Sequence, residues 1–171
     1  MKNGFETRRL LFRSFEFEDL DRLAYISADA ETSRYVGDGE PLSRELTRQW
    51  IENSRENVDR YGYGTGAVLL RETGELIGWS GIARPDEGGE EILYGLYRDY
   101  WGQGLGTELL NGLLEWAWQT LALHELRATV HRDNAASIRM LENAAFVLAD
   151  DRYDDDPNTL LYISLPAERM V

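Results

Sequence analysis

The sequence predicts an α/β fold, a mixed and mostly antiparallel sheet flanked by about four helices, and three observations carry that expectation. Short β-prone runs alternate with segments of helical periodicity along the chain. Three of those runs follow one another closely in the middle of the sequence, which makes an antiparallel meander. Hydrophobic residues are 43% and charged residues 29% of the 171, a composition that folds rather than one that stays disordered. At this length a single domain over residues 1–171 is expected, hiding roughly two-thirds of its unfolded surface.

Residues 8–15 read as a first strand, and residues 17–28 as a helix with Leu20, Leu23, Ala24 and Ser27 on one face. Gly37, Gly39 and Pro41 mark a turn-rich stretch. Ser43 then caps a helix running to about Val58, with Leu46, Trp50 and Ser54 facing inward. Residues 61–66 break helical order. Residues 65–70 and 76–82 are apolar strands joined across Glu72, Thr73 and Gly74, a connection suited to a hairpin. Residues 85–89 form another turn. Residues 90–97 are a third strand, apolar on both faces apart from Glu90 and Glu91, which suits a central position. Residues 104–121 read as a helix in which Leu105, Leu109, Leu113 and Ala117 recur every four residues, widened by Leu110, Leu114 and Leu121. A strand at 126–130, a helix at 135–143 and paired strands at 146–149 and 160–165 around an acidic loop complete the order.

Eighteen basic against thirty-one acidic residues give a formal charge of −13, a field that repels nucleic-acid phosphates and anionic lipid and attracts cations. Cysteine is absent, which excludes disulfides, thiolate metal sites and a cysteine nucleophile together. No stretch approaches the ~20 apolar residues of a membrane-spanning helix, and residues 1–13 lack the apolar run of a signal peptide. A soluble, cytoplasmic protein is expected.

The segment that carries chemistry is Tyr100, Trp101, Gly102, Gln103, Gly104, Leu105, Gly106 and Thr107, placed between a strand and a helix. Glycines let the backbone turn tightly and approach a ligand, and the free N–H groups of a helix's first turn hold anionic oxygens. A pyrophosphate suits such a nest. Taken alone, the three glycines fit a plain strand-to-helix turn equally well. Neither the P-loop pattern nor the dinucleotide fingerprint matches the spacing.

With its surroundings, this segment resembles the GNAT superfamily of acetyltransferases, and within it the branch of ribosomal-protein N-terminal acetyltransferases. The superfamily signature is Gln or Arg, two variable residues, Gly, one variable residue, then Gly or Ala; Gly104 and Gly106 fill its last two fixed positions and Trp101 stands at the first. A Tyr-Trp-Gly-Gln-Gly sequence is similar to that branch. The likeness runs from Thr7, Arg8, Arg9 and Leu10 through Gly74, Gly81 and Glu91 to residues 134–146. It implies a GNAT-like acyl-CoA N-acyltransferase fold, acetyl-CoA as cosubstrate, and binding of its pyrophosphate by the backbone amides of Gly102, Gln103, Gly104, Leu105, Gly106 and Thr107. No metal is implied.

Acyl transfer from a thioester to an amine needs a neutral amine, support for the oxyanion and stabilisation of the departing thiolate. Glu91, ten residues before Trp101, stands where the branch commonly carries a glutamate and is the candidate base, a role that needs partial burial to raise its pKa from ~4.3. A glutamate that merely solvates the strand start fits the same position. Asn134 and Ser137 match the branch's Asn, two residues, Ser at a helix start. Ser137 is assigned a hydrogen bond to the sulfur, with plain helix capping as the alternative. Leu141 stands where many superfamily members place a tyrosine acid, and Ala145 replaces the glycine usual before the aromatic residue Phe146. The resemblance further implies that the 90–97 strand bulges and splays from the next, with a backbone N–H of Leu93 or Tyr94 supporting the oxyanion.

His124 and His131 lack metal-ligand spacing, and Asp150, Asp151, Asp154, Asp155 and Asp156 do not fit a calcium loop. Trp79, Tyr61 and Tyr63 are read as core, with an acceptor pocket as the other reading. The implied activity is direct acetyl transfer to a primary amine, on a peptide N-terminus or a small molecule, in a ternary complex. Nucleic acid and membrane are not expected partners, and a homodimer is admitted. A non-catalytic acyl-CoA-binding or sensing module is the alternative of a different class, and a nucleotide-binding α/β protein a third.

Overall fold

The computed structural model describes residues 3–84 and 89–167; the expected turn at 85–89 lies mostly outside them. Its centre is one eight-stranded sheet in the order β1-β2-β3-β4-β5-β6-β8-β7. The strands are β1 (Gly4–Glu6), β2 (Leu10–Ser14), β3 (Thr65–Leu70), β4 (Leu76–Ala83), β5 (Glu91–Leu96), β6 (Leu126–His131), β7 (Val147–Asp150) and β8 (Thr159–Ser164). Every neighbouring pair is antiparallel except β5 and β6. The helices are α1 (Leu20–Ser27), α2 (Ala30–Ser33), α3 (Arg44–Tyr61), α4 (Leu105–Glu115) and α5 (Ala135–Asn143).

Alternation along the strands feeds two cores, one on each face. Phe15, Leu23, Ile26, Ile51 and Trp79 bury one face under α1 and α3. Phe12, Ile77, Leu109, Leu113, Leu126 and Leu141 bury the other under α4 and α5. The meander and the Leu-rich helix therefore form as their patterns predict, and β4 and β5 hold an unbroken six-residue register.

Four local expectations are corrected. The first strand begins at Leu10, and the unforeseen β1 pairs with it at the sheet edge. Leu46 does not face inward: it is 50% exposed, and the buried stripe of α3 is Thr47, Ile51 and Ser54. Its polar members conceal the phase, because the Thr47 hydroxyl donates to the Ser43 carbonyl at 2.9 Å and Ser54 pairs with the Thr65 hydroxyl. Helix α4 stops at Glu115, and residues 116–120 widen into a π-turn in which the Leu121 N–H reaches the Trp116 carbonyl at 3.1 Å. The bulge expected in β5 is absent from its pairing with β4; the irregularity lies between β3 and β4 at Val68/Leu69.

The splay, by contrast, is present. β5 and β6 share a single parallel bridge, Glu91 with Arg127, and diverge beyond it. The sheet is thus held open in its middle, and the carboxyl end of β5 leads straight to the glycine segment.

Candidate active site

Strand parity decides which groups of β5 face the opening. The Tyr97 N–H donates to the Ile77 carbonyl at 2.8 Å, on the β4 side, and the Arg127 N–H from β6 reaches the Glu90 carbonyl at 2.8 Å. Main-chain groups alternate sides along a strand, so Leu93 and Gly95 turn theirs to β4, while Tyr94 and Leu96 turn theirs to the gap. Of the two residues expected to support an oxyanion, Tyr94 turns its N–H to the gap, whereas the Leu93 N–H is committed to the β4 ladder. The Leu96 carbonyl accepts the indole N–H of Trp101 at 2.7 Å, which satisfies a group the splay would leave unpaired.

Side chains alternate with the same period, between the two faces of the sheet. Glu91, Leu93 and Gly95 point to the α1/α3 face, where a Cβ on Gly95 would lie 2.2 Å from the Trp79 ring. Ile92, Tyr94 and Leu96 point to the α4/α5 face. On the first face the partly buried Glu91 carboxylate accepts the Thr129 hydroxyl of β6 across the mouth of the gap. On the second, the Tyr94 and Ser137 hydroxyls lie 2.7 Å apart, joining β5 to α5. Burial pushes the Tyr94 phenol up to about 12, with the Ser137 hydrogen bond opposing only part of the shift. Asn134 caps α5, its side-chain oxygen accepting the Ser137 N–H at 3.3 Å.

At the end of β5, Gly102 and Gly104 have φ of 72° and 75°, the left-handed region where a side chain is strained. Gly104 is the N-cap of α4. Among the described residues, none of the N–H groups of Gly102, Gly104, Leu105, Gly106 and Thr107 has a backbone hydrogen-bond partner, whereas the Gln103 N–H closes the turn through Trp101 and Gly102. Gly106 also lets α5 come close, since a Cβ there would stand 3.3 Å from the Met140 sulfur. Exposed donors at the positive end of a helix dipole, beside an open sheet, fit an anionic ligand whose tail enters the gap.

The sequence model of the acetyltransferase (GNAT) domain matches residues 9–147 of this chain. The chain belongs to the GNAT acetyltransferase family. Among curated relatives, the uncharacterized N-acetyltransferase p20 of Bacillus licheniformis is 29% identical over 142 residues, covering 82% of this chain and 80% of that protein. Among solved structures, an acetyltransferase from Agrobacterium tumefaciens superposes with a TM-score of 0.82 at 27% identity, over 95% of this chain and 94% of the other. A ribosomal L7/L12 α-N-protein acetyltransferase solved with coenzyme A shares the fold, with a TM-score of 0.77 at 18% identity over 93% and 95% of the two chains. Acetyl transfer from acetyl-CoA is the general function of the GNAT family, and this chain is an acetyltransferase of that kind.

Within the GNAT framework, two sequence departures acquire a physical meaning. Leu141 is buried in the core under α5, and the nearest phenol to Ser137 comes instead from Tyr94, which the sequence singles out only for its backbone. Period-two alternation from Glu91 places that hydroxyl on the α5 face. Ala145 adopts φ of 63°, and the helix still ends in a Schellman turn: the Phe146 N–H donates to the Leu141 carbonyl at 3.0 Å and the Ala145 N–H to the Glu142 carbonyl at 3.1 Å. The alanine accepts the strained conformation and the turn survives.

Trp79 and Tyr63 are buried core, and the Tyr63 hydroxyl donates to Glu90 at 3.1 Å. Glu90 and Glu91 therefore have different partners and different surroundings. His131 packs against the Tyr35 ring at 5.2 Å, linking the chain after α2 to the far side of the gap. Among the described residues there is no cluster of three or more metal-ligating side chains. The acidic loop closes on itself, with Asp156 accepting the Thr159 hydroxyl at 2.6 Å and the Asn158 N–H at 2.9 Å.

Proposed function

We propose that the chain transfers acetyl from acetyl-CoA to a primary amine by direct attack in a ternary complex, Glu91 receiving the amine proton and the Tyr94–Ser137 pair hydrogen-bonding the departing thiolate. The observation that carries this reading is the gap after the Glu91–Arg127 bridge, with a carboxylate on one face, a hydroxyl pair on the other and unpartnered amides at its end. Acetyl-CoA supplies the activated acetyl group and the thiolate leaving group. Gly102, Gly104, Leu105, Gly106 and Thr107 hold the diphosphate by their N–H groups, and the Tyr94 N–H supports the oxyanion.

Thr129 orients the Glu91 carboxylate toward the acceptor face, and the net charge of −13 favours a cationic acceptor, whether a peptide N-terminus or a small-molecule amine. The Tyr94 hydroxyl acts as a donor that keeps its proton. Transfer from a phenol of pKa about 12 to a thiolate near the thiol reference of ~8.5 is uphill by roughly 5 kcal/mol, so water delivers the proton.

A panel of amines and peptides assayed for CoA release tests the reading. Glu91→Gln is expected to lower kcat by about 10²- to 10⁴-fold with the Kd for CoA unchanged. Tight binding of acetyl-CoA without turnover on any amine would establish a sensor and overturn the catalytic assignment.

A further inference from the structure

We infer that Arg9 is a positioning residue of the cradle: fixed by Glu108, its guanidinium turns the Gln103–Gly104 peptide so that the Gly104 N–H faces the bound diphosphate. This rests on the acetyl-CoA reading of the cradle. The reason for such a device is in the loop itself. Gln103 lies between two glycines with positive φ, and glycine-flanked peptides rotate at little steric cost. An amide that must present its N–H needs something to hold its other end.

Arg9 does this from behind the loop. Its Nη1 donates to the Gln103 carbonyl at 3.0 Å. In a planar trans peptide the C=O and the following N–H point in opposite directions, so the Gly104 N–H is aimed away from Arg9. That guanidinium is itself immobilised. Its Nε donates to Glu108 Oε2 at 2.7 Å, and the Arg9 backbone N–H donates to Glu108 Oε1 at 2.7 Å. The Thr7 hydroxyl donates to the same oxygen at 2.6 Å, and the Arg9 carbonyl accepts the Arg71 N–H at 2.9 Å.

Glu108 lies in the first turn of α4, so the clamp ties the edge of the sheet to the helix whose N-terminus forms the cradle. Burial pushes the Glu108 carboxyl up, but the Thr7 and Arg9 hydrogen bonds outweigh it and hold it below the usual range. The carboxylate stays ionised and the clamp stays locked near neutral pH. A lysine cannot reproduce the arrangement, because a single ammonium lacks the planar fork that serves Glu108 and Gln103 at once.

The test compares the wild type with Arg9→Lys, measuring the Kd for CoA by calorimetry, the melting temperature, and kcat/KM with acetyl-CoA and with S-acetylpantetheine, which has no diphosphate. One well-aimed N–H to an anion is worth about 10- to 100-fold in binding. Arg9→Lys is expected to weaken CoA by that factor, to raise KM for acetyl-CoA while sparing kcat, and to lower the acetyl-CoA to S-acetylpantetheine preference equally. If Arg9→Lys unfolds, Glu108→Gln frees the guanidinium without removing it and is expected to show the same loss of preference. Unchanged CoA affinity, or equal losses with both donors, overturns the inference and leaves the cradle reading standing. A wild type that does not bind CoA overturns both.

Discussion

From β1 to β5 every strand is paired antiparallel to the next, and both faces are covered, one by α1 and α3, the other by α4. From β6 outward the protein is built differently. Thr129 is exposed on the face opposite α5, and all four residues of β7 are exposed, Val147 at 63%. One bridge, Glu91 with Arg127, connects the two parts of the ladder. The contrast teaches where a fold can afford an opening: the first part supplies apolar burial on two faces, and Glu91, Tyr94 and Ser137, the groups proposed to react, lie at the seam where pairing stops.

The largest expected effect exposes the difference in packing. Leu109→Ala, at a fully buried site, should destabilise by about 2–5 kcal/mol in urea unfolding, while Val147→Ala on the outer strand should change stability by less than about 0.5 kcal/mol. Comparable losses at both sites would show the contrast to be false.

Next comes the seam. The raised Tyr94 pKa means that the folded state holds this proton where the unfolded chain releases it. The contribution is fully present below pH 10 and is lost as pH rises toward about 12. Tyr94→Phe should remove up to roughly 2.7 kcal/mol of the alkaline decline seen by unfolding at stepped pH. The same variant should lower kcat by about 10- to 100-fold at neutral pH. Loss of the alkaline effect without loss of turnover would place the hydroxyl in structure and not in chemistry.

The smallest expected effect lies in the second part of the molecule. Ala145→Gly should stabilise by about 0.5–1 kcal/mol, because glycine takes the left-handed helix end without a Cβ penalty. A melting temperature that falls instead would mean that alanine's restriction of the unfolded chain outweighs that strain.

Much of this design is legible in the sequence. The glycines of the cradle, the Leu105–Leu113 stripe and the β3–β4 hairpin are local patterns, and local patterns survive folding. The Asn134–Ser137 spacing likewise gives the start of α5. What escapes is whatever a distant partner decides. The three residues of β1 are too short to show alternation and exist because β2 offers an edge. Thr47 and Ser54 are polar yet buried, since hydroxyl bonds satisfy them, so the inward phase of α3 appears shifted to Leu46. Trp101 looks like a departure from a glutamine or arginine pattern until its indole is found on the Leu96 carbonyl. Arg9 and Glu108 are 99 residues apart, and no periodicity connects them.

The single bridge at the seam also bears on how such a chain changes over generations. A ladder transmits register from strand to strand, so substitutions within β2 to β4 are constrained by their neighbours on both sides. Across Glu91–Arg127 almost no register is transmitted. β6 takes its register instead from β8, with which it pairs at six positions. The pairing of the first five strands and that of the last three can therefore vary independently.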